Sequence, residues 1–494
     1  MVQLLGPLER RSSPMDVLRV SDGAIDLAGR VALGISDSCP EIAAGEQGTV
    51  VVAGEVRARG LRVPLRVTVA DPGGPFSAPR TLGAYAATDV DVAVARSGAA
   101  VVAWAEILPG RGRLPRTDPF RPRGAKLRVF AARRRPGEPF GAPELVAAGP
   151  SGGFGGGEVS AGIDASGAVT LVWPRGLPSR GPIGDLSAVA ASSAPAGGRF
   201  GAPQVLSASV REGGEPSLAV APDGGAIVAH SGNSRVHVYE RRPGEDRFAK
   251  TATFGRGQEL LSKPTVSLRD GGGAVLAWEA NGLRGSYIGT ATRESVGVLG
   301  TPREVARLRP VDTWISLVVA IARDEPAFPP PDEGNLALRS ALAPGGRFVL
   351  SWAGTRRLPF RDRPLAVRAA TGILGQAPGP ARTLGCPCRT ANGAVPFALP
   401  GLGPAVAWTD NRTEPSFRDS EYAAGGGRLH VYVPSGRTPA SPAPRLTLRA
   451  RRGQVLRWGQ PLLVRASCDR ACDLRGLIPR SAAPASVPAR AASS

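Results

Sequence analysis

The chain is almost without lysine. Of its 61 basic residues, all but Lys126, Lys250 and Lys263 are arginine. Histidine is equally scarce (His230, His237 and His430), and none lies near the Cys386-Pro-Cys388 pair. That spacing excludes a zinc site of the Cys/His kind, which needs a second ligand pair. Aromatic residues make up only 5%, too few for the stacking platforms of single-strand nucleic-acid binders. No run approaches the roughly 20 apolar residues of a membrane span. Phosphate-binding loops, GxGxxG, HExxH and calcium-loop spacings are all missing, so no cofactor or metal is implied. The glycine-rich GGFGGGE at 152–158 has no helix pattern behind it and reads as a connector.

What the chain has in quantity is glycine (65) and proline (48), in 494 residues. Both are poor helix formers, and their abundance suits many short strands joined by turns. The net charge of +20 points to anionic partners, or to arginines that are simply solvated. Arginine in place of lysine, with much alanine, is the coding bias of a GC-rich bacterial genome.

The sequence repeats itself. GTVVVAG ends at Gly54, GAAVVAW at Trp104, GAVTLVW at Trp173, GGAIVAH at His230, GGAVLAW at Trp278, GRFVLSW at Trp352 and GPAVAW at Trp408. The spacing averages about 59 residues, within reach of a propeller blade with generous loops. A shorter apolar run precedes each of these, across a glycine turn. A third run follows, as in LRVTVA, KLRVFAA and RVHVYE, and then a turn leads into the phrases GGPFSAPRTL, GEPFGAPELV and GGRFGAPQVL. Proline tolerates only edge strands or strand starts, so this phrase marks the outermost strand. The runs are short, rich in Val and Ala, and bounded by turns, which is strand patterning. Four strands repeated seven times predict an all-β, seven-bladed β-propeller. Six or eight blades also fit, because 309–335 could conceal or imitate a strand pair. The recurring tryptophan fills the wedge between blades, where burial is worth roughly 1.5–3 kcal/mol or more.

Gly73-x-x-Phe76, Gly137-x-x-Phe140 and Gly197-x-x-Phe200, each followed by a proline (Pro79, Pro143, Pro203), resemble the Asp-box (BNR) repeat of sialidase-like propellers in degenerate form. Its Ser and Asp are gone. The resemblance implies that activity would need an arginine triad, a Tyr–Glu pair and an acidic acid/base. Leu61-Arg62-Val63-Pro64 is nearest to the family's entry motif but sits before the wrong strand, and Tyr422 with Glu279 is a pairing the sequence does not support. The expectation is a non-enzymatic, monomeric propeller that binds a protein or an anionic glycan or cell-wall polymer. A sialidase-type glycoside hydrolase with eroded motifs is the alternative.

The domain reading is an N-terminal extension at 1–27 and a propeller at 28–435, with 28–35 closing the last blade. A Pro/Ser linker follows at 436–445, then a partial Ig-like β segment at 446–480 and a disordered tail at 481–494. Within CDRAC, Cys468 and Cys472 could close a small disulfide loop, which suits an oxidising compartment. Cys39 with Cys386 or Cys388 is left open between a bridge and free thiols. The expected location is extracellular or cell-surface. The opening MVQLLGPLERRSSPMDVL nevertheless lacks a signal-peptide core, so a start site further upstream is expected. Loops after the second strand and between blades share one face. Candidate ligand contacts there are Arg111, Arg113 and Arg116, Arg356 and Arg357, Asp410 and Arg412, with His230 as the polar exception in the tryptophan row.

Overall fold

The computed structural model describes residues 41–55, 64–83, 87–108, 126–150, 158–176, 187–210, 216–255, 259–261, 264–282, 285–308, 338–355, 365–384, 390–399, 403–411 and 427–434, and the strands at 2–4, 15–21, 24–31, 446–450, 464–468 and 474–477. Within these residues the only helical element is a single 3-10 turn, Asp270–Gly272. The architecture is all-β and β-propeller-like, a series of four-stranded antiparallel sheets.

Each repeat of the sequence folds into its own sheet. Repeat one runs Glu41–Ala44, Val50–Glu55, Leu65–Ala70 and Arg80–Gly83, each strand pairing with the next. Repeat two is Ala87–Val94, Ala100–Leu108, Lys126–Arg134 and Glu144–Pro150. Repeat three is Ser160–Ile163, Val169–Gly176, Ser187–Ala194 and Gln204–Val210. Repeat four is Ser217–Val220, Ala226–Gly232, Arg235–Arg241 and Ala249–Phe254. Repeat five is Thr265–Leu268, Ala274–Gly282, Gly285–Arg293 and Arg303–Leu308, with Glu259–Leu261 added beside its second strand. Repeat six is Arg339–Leu342, Arg347–Thr355, Leu365–Ile373 and Arg382–Thr383. Repeat seven begins with Thr390–Leu399, Gly403–Asn411 and Gly427–Tyr432.

The turn glycines have a physical reason. Gly98, between the first two strands of repeat two, has φ 87°, and a Cβ there would lie 2.7 Å from Thr49 Oγ1 of repeat one. The turn needs both the left-handed backbone and the missing side chain. The same conformation recurs at Gly48, Gly167, Gly224 and Gly346 in the equivalent turns.

One hairpin cannot bury both of its faces, so the sheets shield one another. First strands of successive repeats lie side by side from repeat one to repeat seven. Apolar clusters sit between sheets: one joins repeats one and two around Trp104, another joins two and three around Trp173, and others join four to five around Trp278 and five to six around Trp352. These four indoles are among the largest fully buried side chains. The side chain of Trp408 lies outside the described residues.

The chain ends differ from the sequence reading. The fourth strand beside Gly427–Tyr432 is Leu474–Leu477, with Arg428 opposite Leu477. The segment proposed to close that sheet, 28–35, instead contributes to Ala24–Val31, which pairs with Met15–Ser21. Ala24–Val31 also meets Val464–Cys468 through Ile25 and Ala466. With Val2–Leu4 and Leu446–Ala450, these strands make a separate five-stranded sheet from both ends of the chain. The expected extension at 1–27 and Ig-like segment at 446–480 therefore share hydrogen bonds. Strand edges are satisfied by whichever segment reaches them, and sequence period cannot reveal that across more than 400 positions. The linker 436–445, the tail 481–494, the connector at 152–157 and the connection 309–335 lie outside the described residues.

Candidate functional site

Neighbouring first strands do not share a ladder, so side chains bridge them. Asp89 Oδ2 accepts from Val159 N at 2.9 Å, and Asp91 Oδ2 accepts from Ala161 N at 2.7 Å, joining repeat two to repeat three. Ser160 Oγ donates to Pro216 O at 3.1 Å, and Val266 N donates to Ser217 Oγ at 3.3 Å. Thr265 and Ser267 meet Ser340 Oγ at 3.1 and 2.8 Å. Carboxylates serve the early repeats and hydroxyls the later ones. All of these contacts are structural, because they satisfy edge groups that would otherwise be left without partners.

A second stitch runs along the outer strands. The residue four places after the phrase's phenylalanine reaches the backbone of the equivalent phenylalanine in the next repeat. Arg80 donates to Phe140 O. Glu144 Oε1 accepts from Phe200 N at 3.1 Å. Gln204 both donates to Phe248 O at 2.8 Å and accepts from Phe248 N at 2.9 Å. A long polar residue after FxAP was the available signal in the sequence.

The end carrying the tight turns is closed by arginines. Arg134 pairs with Asp71, Arg293 with Glu240 at 2.6 Å, and Arg241 Nη2 donates to Thr170 Oγ1 at 2.9 Å and to Gly224 O at 3.2 Å. Except for the bond to Gly224 O, which lies within repeat four, each of these crosses from one repeat to its neighbour. Ala100–Leu108 and Arg347–Thr355 lead into residues 109–125 and 356–364, which lie outside the described residues.

Of the candidate ligand contacts, Arg111, Arg113, Arg116, Arg356, Arg357 and Arg412 lie outside the described residues. Asp410 lies in Gly403–Asn411, opposite Arg428 on the adjoining strand; its side chain is not among those described. Cys468 ends Val464–Cys468, while Cys472 and Cys39, Cys386 and Cys388 lie outside the described residues, as does Tyr422. Glu279 is 2% exposed.

His230 is fully buried, at 0% exposed, and takes the tryptophan's place in repeat four, opposite His237 on the next strand. Its ring stacks on Tyr239 at 5.7 Å and lies 5.2 Å from the His237 ring. Nδ1 is 3.2 Å from Ser231 O and Nε2 has no partner. Burial, more than any other cause, pushes its pKa down to about 4, so the ring is neutral near pH 7. Burial likewise lowers His237 and raises Tyr239. Among the described residues no group of three or more His, Cys, Asp or Glu could hold a metal ion.

Glu106, 3% exposed in repeat two, also serves the interface between sheets. It accepts from Arg128 Nη2 at 2.6 Å and from Trp104 Nε1 at 3.3 Å. A carboxylate engaged by both groups holds the indole in place and carries no reacting group.

A groove of about 330 Å³ lies between repeats two and three. Val129, Val146, Ala147, Gly149, Trp173 and Pro203 are among its walls, and Arg175 is the one ionisable side chain lining it among the described residues. None of these groups is arranged as a nucleophile with a base.

No protein-family model matches the sequence, and no curated protein matches it. Among solved structures, a Dyadobacter fermentans protein of unknown function is similar at 13% identity and a TM-score of 0.37, over 70% of this chain and 94% of that one. A cobalt-substituted Synechocystis ACO is similar at 14% identity and a TM-score of 0.35, over 60% of this chain and 70% of that one. TolB from Acinetobacter baumannii is similar at 10% identity and a TM-score of 0.29, over 86% and 81%. Likeness at this level says nothing about chemistry.

Proposed function

We propose that this chain is a seven-bladed, sialidase-like β-propeller without catalytic activity. It acts as a monomer at the cell surface or outside the cell and binds a protein or an anionic glycan or cell-wall polymer. Among the described residues no helix is long and apolar enough to cross a membrane.

The supporting observation is how the arginines divide. At the turn end, Arg134, Arg241 and Arg293 are committed to bonds between sheets. The chain carries further arginines in the connections that follow second strands: Arg111, Arg113 and Arg116 after Ala100–Leu108, and Arg356 and Arg357 after Arg347–Thr355. A rigid scaffold that presents guanidinium forks on loops suits carboxylate-bearing ligands.

Salt-gradient retention on an immobilised anionic glycan tests this reading. Replacing Arg111, Arg113 and Arg116 with alanine, and separately Arg356 and Arg357, is expected to lower the eluting salt. Unchanged retention in both variants would remove the proposal. Turnover of a fluorogenic sialoside that Tyr422→Phe abolishes would replace it with the hydrolase reading.

A further inference from the structure

Beside Trp104 and Trp278 the gap next to the wedge indole is filled by an aromatic ring at one of two positions. The first is the residue directly opposite on the third strand of the same sheet. In repeat two this is Phe130, whose ring stacks on Trp104 at 5.4 Å with an interplanar angle of 16°. The second is on the fourth strand of the preceding sheet. For Trp278 this is Phe254 of repeat four, stacked at 5.4 Å and 12°. Gly83 holds the equivalent fourth-strand place beside Trp104, so close that a Cβ would lie 3.3 Å from the indole Nε1.

At Trp173 both positions are alanine. Ala190 lies opposite on the third strand. Ala147, paired with Val129, holds the fourth-strand place that Phe254, paired with Val236, holds two sheets on. Among the described residues no ring stacks on Trp173. Two residues further along, Gly149 has no atom within 4 Å of where its Cβ would be. The groove of about 330 Å³ is the space these small residues leave. Trp173 forms its floor and is 2% exposed, while Pro150, Arg175 and Pro203 at the rim face solvent. Its volume is at the small end of ligand pockets, and its lining is of the usual kind, apolar walls with one placed polar group.

We propose that this groove binds a small aromatic carboxylate. The ring enters where Phe254 sits in the equivalent gap at Trp278 and packs between Ala147, Gly149 and Trp173. The carboxylate stays at the rim and takes the bidentate fork of Arg175, the one charged group among the described residues that line the groove. The site lies on the flank between two sheets.

The test is ligand-observed NMR and calorimetry on the full chain with 3-phenylpropionate, using 3-phenylpropanol as the uncharged control. Wild type is expected to bind the acid saturably and the alcohol at least tenfold more weakly. Arg175→Ala should erase that difference. Ala147→Phe, which copies Phe254, should abolish binding without lowering the thermal midpoint. Gly149→Phe, aimed into open space, gives the same readout should the first variant fold poorly. No saturable binding by wild type up to about 10 mM would overturn the proposal, as would undiminished binding by a folded filling variant. An acid-to-alcohol ratio that survives Arg175→Ala would also overturn it.

Discussion

Arg134 holds Asp71 across the boundary between repeats one and two, with Nη2 2.6 and 2.7 Å from the two carboxylate oxygens. The arginine side chain is 1% exposed and the aspartate 46%. Nη1 also donates to Gly98 O at 3.1 Å. The pair therefore ties a third-strand turn of one sheet to a first-hairpin turn of the next. The charge that cannot reach water belongs to the arginine, and this sets what happens when its partner is removed.

Asp71→Ala is expected to destabilise the chain by about 2 kcal/mol. That is less than the loss of a partner in a fully buried pair, because the vacated side is half open to water. Arg134→Met, which removes the buried charge and keeps the apolar stem, should cost less than Asp71→Ala. Urea midpoints of the two variants check the order, and the reverse order would show that the ion pair itself is the stabilising element.

Gln204→Ala removes both bonds to the Phe248 backbone, at 2.8 and 2.9 Å. Loss of about 1–3 kcal/mol is expected, with faster amide exchange at Phe248. Gln204→Glu keeps the acceptor and loses the donor, so it should lie between alanine and wild type.

Gly289→Ala places a Cβ 2.6 Å from Trp278 Cε2. The indole lies flat over the third strand only because that position is bare. Overpacking is expected to cost about 1–3 kcal/mol and to change the near-ultraviolet circular dichroism. The double variant Gly289→Ala with Trp278→Leu should recover part of the loss.

Stability should fall as the pH drops from about 6.5 towards 4. In the folded chain burial holds the His230 pKa down to about 4, against an ordinary 6.5. Between those values the unfolded chain binds the proton and the folded chain does not, so acid favours unfolding. The contribution is present in full above pH 6.5, and the loss across the window is about 3 kcal/mol. His237, Lys250 and Arg235 face the same neighbourhood, and none carries a negative charge that would ease protonation. His230→Phe, which keeps a ring against Tyr239, should flatten the dependence of the urea midpoint on pH between 4.5 and 7. An equally steep dependence in the variant would assign the effect to other groups.

Much of this architecture can be read from a single repeat. The Gly-turn followed by a Val/Ala run, and the FxAP phrase at the outer edge, locate strands that the structure contains, including RFAKTATF and LGTPREVARL, where the phrase is worn. The burial of Trp104, Trp173, Trp278 and Trp352 follows from one large ring recurring in a run of small residues. These features are local, because strand period, turn chemistry and side-chain size act over a few residues. The candidate site was less legible. His230 reads as a polar exception that could line a site, or as a tolerated substitution for tryptophan, and the structure buries it in the tryptophan's register.

What the sequence determined alone was the repeating four-strand unit, its turns and the need of each sheet for a neighbour, because an amphipathic hairpin cannot shield both faces from water. Tertiary structure decided what lies against what: Leu474–Leu477 completing the seventh sheet, both chain ends sharing another, Arg134 finding Asp71, and the space beside Trp173. Those outcomes depend on which distant segments arrive at the same edge or gap. That is a matter of packing complementarity between sheets, and no local pattern of residues encodes it.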